Sequence, residues 1–186
     1  SGVFQFGGTA TSLTVFGDTQ VDPSGTISVQ SANVRHQYNV YGNFTNNGGT
    51  VQFTNRVAAN YTAEATDGIV DFNLLNDTED QNIICNGPTR FYRIEIDKGT
   101  DDTYLATFTA DAAGNFTLFG YSNIDHASTA QLPTNDNSFG LLFGTAEIGT
   151  NISIPVLSNG GNYNVSAGAM LWVNGGTVLK NAGNSL

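Results

Sequence analysis

Apolar residues recur at every second position, or in short runs bounded by Gly, Asn, Asp and Thr, along most of the chain. A period of two sends alternate side chains to opposite faces of an extended strand. The pattern predicts strands at "LTVFG" (13–17), "TISVQ" (26–30), "YNVYG" (38–42), "TVQFT" (50–54), "GIVDF" (68–72) and "NIICN" (82–86). It continues through "FYRIEID" (91–97), "TYLATFTA" (103–110), "NFTLFG" (115–120), "FGLLFG" (139–144) and "NISIPVL" (151–157). The last strands expected are "YNVS" (163–166), "MLWVNG" (170–175) and "TVLKN" (177–181). "RVAANYTAEATDG" (56–68) has the most helical character, but it is short and holds Thr and Asn, which favour turns.

The strands repeat. When "LTVFGDTQVDPSGTISVQ" is laid on "YNVYGNFTNNGGTVQFTN", Gly17 falls on Gly42 and Gly25-Thr26 falls on Gly49-Thr50. The tail "NYNVSAGAMLWVNGGTVLKN" carries the same Gly-Gly-Thr-Val element. A degenerate repeat of about 20 to 25 residues predicts a solenoid, in which no unit buries its own apolar face and stacked units share one core. The fold class expected is all-β: a right-handed parallel β-helix, with residues 1–186 forming a single segment of it. A β-sandwich or jelly roll of antiparallel hairpins is the alternative, because "NNGG" is a hairpin turn signal on its own. Short strands and close spacing favour the helix, with Asn and Gly at the corners.

Composition sharpens this picture. Only 12% of residues are charged, about half the usual share. Gly, Asn and Thr number 22 each, a bias suited to strands and turns. The net charge is −10, and no Lys or Arg lies between Lys98 and Lys180. Phosphate recognition draws on cationic side chains, so neither nucleic acid nor an anionic membrane surface is an expected partner. No apolar run approaches the ~18 residues of a membrane-spanning helix. The single cysteine, Cys85, is expected to act as a small buried hydrophobe, and no disulfide framework exists. "SGVFQF" and "NAGNSL" open and close the chain mid-pattern, which suggests a processed product or a piece of a longer protein.

Three phrases carry a resemblance: "VYGNFTNNGGTVQFTN", "RFYRIEIDKGT" and "IPVLSNGGNYNVSAGAMLWVNGGTV". In that order, over roughly residues 38 to 180, they resemble segments of very large secreted surface proteins of Bacteroidota, in particular of gliding and adhesive Flavobacterium-type cells. The resemblance implies a right-handed parallel β-helix, export by the type 9 secretion route and an extracellular address on the outer cell surface. Implied partners are other segments of the same long polypeptide, the secretion or surface-anchoring machinery, and surface polysaccharide. Arg93 and Glu95 stand where the resemblance would lead one to expect blander residues.

Little chemistry is visible. Ten of the sixteen acids lie between Glu64 and Asp102, among them Asp77, Glu79, Asp80, Asp97, Asp101 and Asp102. Clustered carboxylates suggest Ca²⁺, yet neither these runs nor "PTNDNSFG" (133–140) matches a calcium loop, so solvated turns and no cofactor are expected. His36 and His126 lack the context of a catalytic triad and are expected in loops, exposed or hydrogen-bonded. In "FYRIEID", alternation places Arg93, Glu95 and Asp97 on a solvated outer face, and Tyr92, Ile94 and Ile96 on the inner one. Trp172 is expected to pack inward; facing outward, it would suit stacking on a sugar. No Thr-x-Thr motif recurs at the repeat period, so Thr9, Thr11, Thr107 and Thr109 do not form an ice-binding ladder. The function expected is a non-catalytic structural or adhesive segment, a stalk or display module. The alternative is a polysaccharide-binding or polysaccharide-cleaving β-helix using Trp172, Arg93, Glu95 and Asp97.

Overall fold

A computed structural model of the protein describes residues 2–31, 34–55, 68–118, 138–154 and 163–179. Within them the chain forms strands and no helix. The first six are β1 (Val3–Phe6), β2 (Ser12–Val15), β3 (Thr19–Val21), β4 (Thr26–Val29), β5 (Arg35–Val40) and β6 (Phe44–Asn46). Then come β7 (Thr50–Gln52), β8 (Ile69–Leu74), β9 (Gln81–Cys85), β10 (Thr89–Phe91), β11 (Arg93–Asp97) and β12 (Leu105–Ala110). The last are β13 (Phe116–Leu118), β14 (Phe139–Ile148), β15 (Ser153–Ile154), β16 (Ala169–Val173) and β17 (Thr177–Val178).

One rule orders the first eleven: each strand pairs in parallel with the strand three places later. The first series runs β1-β4-β7-β10-β13. The second, β2-β5-β8-β11, and the third, β3-β6-β9-β12, join through the long β14 into a ten-stranded sheet that doubles back on itself, with β16 added on β14. A two-stranded sheet, β15-β17, completes the set. Every pairing between named strands is parallel. The antiparallel hairpin arrangement is therefore not what these residues adopt. β6 and β7, which flank "NNGG", bond to different neighbours: β6 to β3 and β9, β7 to β4 and β10.

In-register parallel pairing places like positions above one another. Leu13, Tyr38, Phe72, Ile94 and Phe139 form one such column on the second series. Phe44, Ile83, Phe108 and Ile148 form another on the third. These inward columns meet in one hydrophobic core, where the rings of Phe44, Phe53, Phe72 and Phe91 lie 5.1 to 6.4 Å apart between centroids. Tyr92, Ile94 and Ile96 are buried, as alternation requires, and so is Cys85, whose thiol is pushed up to about 12 by burial and is inert at neutral pH. His36 departs from expectation: it lies on β5, buried with its ring 5.1 Å from that of Phe6, and burial keeps it below its ordinary pKa.

Corners stack as the strands do. A Cβ on Gly42 would overlap the Gly17 carbonyl and the Asp18 nitrogen, so only glycine lets the two corners sit at strand spacing. Beside them, Asn43 N–H donates to Asp18 Oδ1 at 2.7 Å, and Asn82 N–H donates to Asn43 Oδ1 at 2.8 Å. Each side-chain oxygen thus satisfies the backbone of the next layer where the sheet ladder lapses. The bend between the second and third series is built in more than one way. β14 turns at Gly144, whose φ of +90° suits glycine. Between β11 and β12 the chain instead takes residues 98–104, and Lys98 is buried. Its Nζ donates to Asn76 O at 2.8 Å, Glu79 O at 2.9 Å and Gln81 Oε1 at 2.9 Å. A lysine ammonium thus holds the oxygens of the acid-rich turn 76–81. The carboxylates of Asp77, Glu79 and Asp80 remain exposed.

Other expectations shift by a few residues. β1, β3, β6 and β10 are short strands that the periodicity did not separate. Residues 163–166, read as a strand, carry none. The window at 56–67, "PTNDN" (133–137) and His126 lie outside the described residues.

Gly42→Ala should lower unfolding stability by roughly 1–3 kcal/mol, the usual cost of overpacking, while Gly17→Ala, whose added Cβ meets nothing within 4 Å, should be near neutral. Urea midpoints of the two variants check this; equal midpoints would refute the stacking argument. Lys98→Met should cost about 1–3 kcal/mol by stranding buried acceptors. Burial pulls Lys98 down from 10.5 to about 8, against the opposing effect of Asp80 and Asp77. The unfolded chain then holds more protons than the folded one between those values, so this contribution makes stability rise with pH across that window. Lys98→Met should lack the rise, as thermal midpoints between pH 7.5 and 10 will show.

Candidate functional site

The outward side of the second series carries the densest polar constellation of the described residues. Alternation along β5 turns Arg35, Gln37 and Asn39 away from the core, and along β8 it does the same for Asp71 and Asn73. Register sets Asp71 between Gln37 and Arg93, and Asn73 between Asn39 and Glu95. β2 adds Ser12 beside Gln37. All of these but Asn39 line a groove of about 330 Å³.

Two ion pairs organise it. Arg35 Nε donates to Asp71 Oδ2 at 2.5 Å, and Arg93 Nη2 donates to Glu95 Oε2 at 2.6 Å. Asp71 and Arg93 are each only 2% exposed, so these are not the solvated charges that alternation alone suggested for Arg93. Burial raises the Asp71 pKa, and the Arg35 and Arg93 charges oppose that rise. Below this pair an amide ladder runs outward: Asn73 Nδ2 donates to Asn39 Oδ1 at 2.9 Å, and Asn39 Nδ2 donates to Ser12 Oγ at 3.2 Å. Three polar atoms of the groove are buried without a hydrogen-bond partner: Arg35 Nη1, Asp71 Oδ1 and Asn73 Oδ1. Each carboxylate is bound to a guanidinium, an arrangement that suits holding a ligand better than exchanging a proton with one.

The structure brings together only part of the set read from sequence. Arg93 and Glu95 share the groove. Asp97 follows on the same strand but lies past a register shift, pairs with Phe143 and does not line the groove. Burial, then the neighbouring Glu95 charge, raises its pKa. Trp172 lies elsewhere, on β16 opposite Glu147, and it is 44% exposed. It does not pack inward: alternation gives the inward position to Leu171, opposite Ala146. Among the described residues, no three His, Cys, Asp or Glu side chains are grouped to hold a metal ion.

Arg35, Asp71 and Asn73 escaped sequence reading. Asp71 interrupts an otherwise apolar run in "GIVDF", a signal that was available. Its partner Arg35 lies 36 residues away, a spacing unlike the repeat period and so not inferable from it.

Asp71 supplies a pH test. Its raised pKa means that the fold binds more protons than the unfolded chain above the ordinary value of 3.8, so its contribution is full at acid pH and is lost as pH rises through the raised value. Arg35→Met should destabilise the protein by about 3–5 kcal/mol at neutral pH, because it strands a buried carboxylate. The deficit should shrink at pH 4, where a protonated Asp71 needs no counterion. Thermal midpoints at pH 4 and 7 check this, and a deficit independent of pH would refute it.

No protein-family model matches this chain, and no curated protein or solved structure matches it either.

Proposed function

We propose that the chain is a segment of a right-handed parallel β-helix acting as a non-catalytic structural or adhesive module, a stalk or display element of a secreted bacterial surface protein. One observation carries this reading: each of the first eleven strands bonds in parallel to the strand three places on, so successive layers share one core. Stacked layers with continuous main-chain ladders give stiffness and reach. The right hand follows from the strong preference of parallel crossovers. The exterior fits the role too, because amides and hydroxyls replace the usual charges and the chain carries −10 overall. Partners on this reading are further segments of the same polypeptide stacked on the terminal layers, together with export and anchoring machinery. The phrases at 40–55, 90–100 and 154–178 support a type 9 secreted protein of a gliding Bacteroidota cell.

A carbohydrate-binding role is the second reading, favoured by the outward Trp172.

Antibodies raised against this chain should label intact, unpermeabilised cells of the organism that makes it, and protease treatment of those cells should remove the signal. Labelling that requires permeabilisation would overturn surface display. Release of reducing ends or unsaturated sugars from purified surface polysaccharide would overturn the non-catalytic assignment.

A further inference from the structure

We infer that His36 is an acid-sensitive latch: neutral, it lets residues 6–11 close over the core, and protonated, it drives them off. The inference concerns the fold of this chain and does not rest on the function proposed above.

The argument starts from where the imidazole lies. Alternation along β5 sends His36, Tyr38 and Val40 inward, and Arg35, Gln37 and Asn39 outward. His36 is fully buried, and neither ring nitrogen makes a well-formed hydrogen bond. The Gly7 backbone beside it favours the charged form, and burial outweighs that influence. The groups that face the ring carry no charge. Phe6 of β1 lies over it with ring centroids 5.1 Å apart, and residues 7–11 hold only Gly, Thr and Ala. β4, which pairs with β1, has no ionisable side chain. β8 sets Val70 opposite His36 in register, while its Asp71 points outward to Arg35. On β5 itself Tyr38 shares the inward face, but its hydroxyl is hydrogen-bonded to Thr19 Oγ1 at 2.7 Å and burial raises its pKa, so it is neutral in acid. Among the described residues no carboxylate is placed to compensate an imidazolium here.

The cover over the ring is thin. Residues 8–11 are exposed, and the segment is tied down by main-chain bonds at its two ends. Gln30 N–H donates to Phe6 O at 2.8 Å, and Gln37 N–H donates to Thr11 O at 2.9 Å. Lifting the segment exchanges these bonds for bonds to water and brings water to the ring. Keeping it closed over a charged ring leaves that charge buried and unpaired, which costs far more. Local opening is therefore the response to protonation. The sign follows from linkage: the open form binds the proton with ordinary affinity and the closed form with less. The open form gains as pH falls below the ordinary histidine value of 6.5, by up to about tenfold per pH unit. At neutral pH the latch is shut.

The test follows amide hydrogen exchange of the whole chain by NMR between pH 7.5 and 5, expressed as protection factors so that the intrinsic pH dependence of exchange cancels. The Gln30 and Gln37 amides, which bond the ends of the segment, should lose roughly tenfold or more in protection over that span. The Ile94 and Gly149 amides, bonded to Ser138 O and Phe108 O in distant layers, should keep theirs. His36→Phe retains an aromatic ring and removes the proton site, and it should abolish the loss at Gln30 and Gln37. Its thermal midpoint at pH 7.5 verifies that it is folded, and His36→Leu takes its place if it is not. Protection at Gln30 and Gln37 that does not change with pH, a loss that persists in the folded His36 variant, or an equal loss at Ile94 and Gly149 would each overturn the proposal.

Discussion

The in-register parallel ladder between strands three places apart is the constraint on which the rest of the structure depends. Its spacing of about 4.8 Å is set by the main chain and not by the side chains. Whatever occupies a position must therefore accept a near copy of itself directly above and below. The aromatic columns meet this by offset and tilted contacts, as with Phe53 and Phe91 at 5.6 Å and 34°. The corners meet it more strictly, because the backbones themselves approach there. Gly42 over Gly17 leaves no space for a methyl group, and the Asp18–Asn43–Asn82 stack turns the same proximity into hydrogen bonds between layers.

The same constraint accounts for the scarcity of charge. A column of like charges at strand spacing is destabilising, whereas amides both donate and accept and so stack on their own kind. The Asn73–Asn39–Ser12 ladder shows this on the second series. Where charges do enter that face, opposite signs are set side by side: Asp71 is engaged by Arg35, lies opposite Arg93 in register, and Arg93 in turn holds Glu95. A groove whose described residues carry charges of both signs in equal number follows from that pattern. It is a consequence of stacking before it is a site.

What could be read in the sequence was whatever the ladder imposes at fixed spacing. The pairing of Gly17 with Gly42 and of Thr26 with Thr50 was visible as a repeat, and the structure places both pairs in adjacent layers. All-β character and the inward set Tyr92, Ile94 and Ile96 were legible for the same reason. Of the three-residue strands, β7 and β13 were legible within longer apolar patterns, whereas β3, β6 and β10 were not, because three residues alone show too little alternation to register a period. The ion pair Arg35–Asp71 was hidden by the variable length of chain between layers, which breaks the arithmetic of the repeat. Trp172 was misplaced by trusting the average burial of tryptophan over the alternation of its own strand, where Leu171 already takes the inward position.

Variation between layers is thus confined to places where the ladder lapses. The bend from the second to the third series shows how wide that freedom is. β5 reaches β6 through Tyr41, Gly42 and Asn43; β11 reaches β12 through residues 98–104; β14 crosses without interruption at Gly144. The longer excursions need internal support, and Lys98 supplies it by engaging Asn76, Glu79 and Gln81, while Gln81 Nε2 in turn donates to Gly42 O at 2.7 Å in the layer before. A buried ammonium surrounded by oxygens on one corner and a bare glycine on the next satisfy the same main-chain requirement. Chemistry particular to this protein is then to be sought at outward positions and corners, where side chains are free of the stacking rule. Arg35, Asp71 and Asn73, beside Arg93, occupy one such place, where buried polar residues gather along a groove.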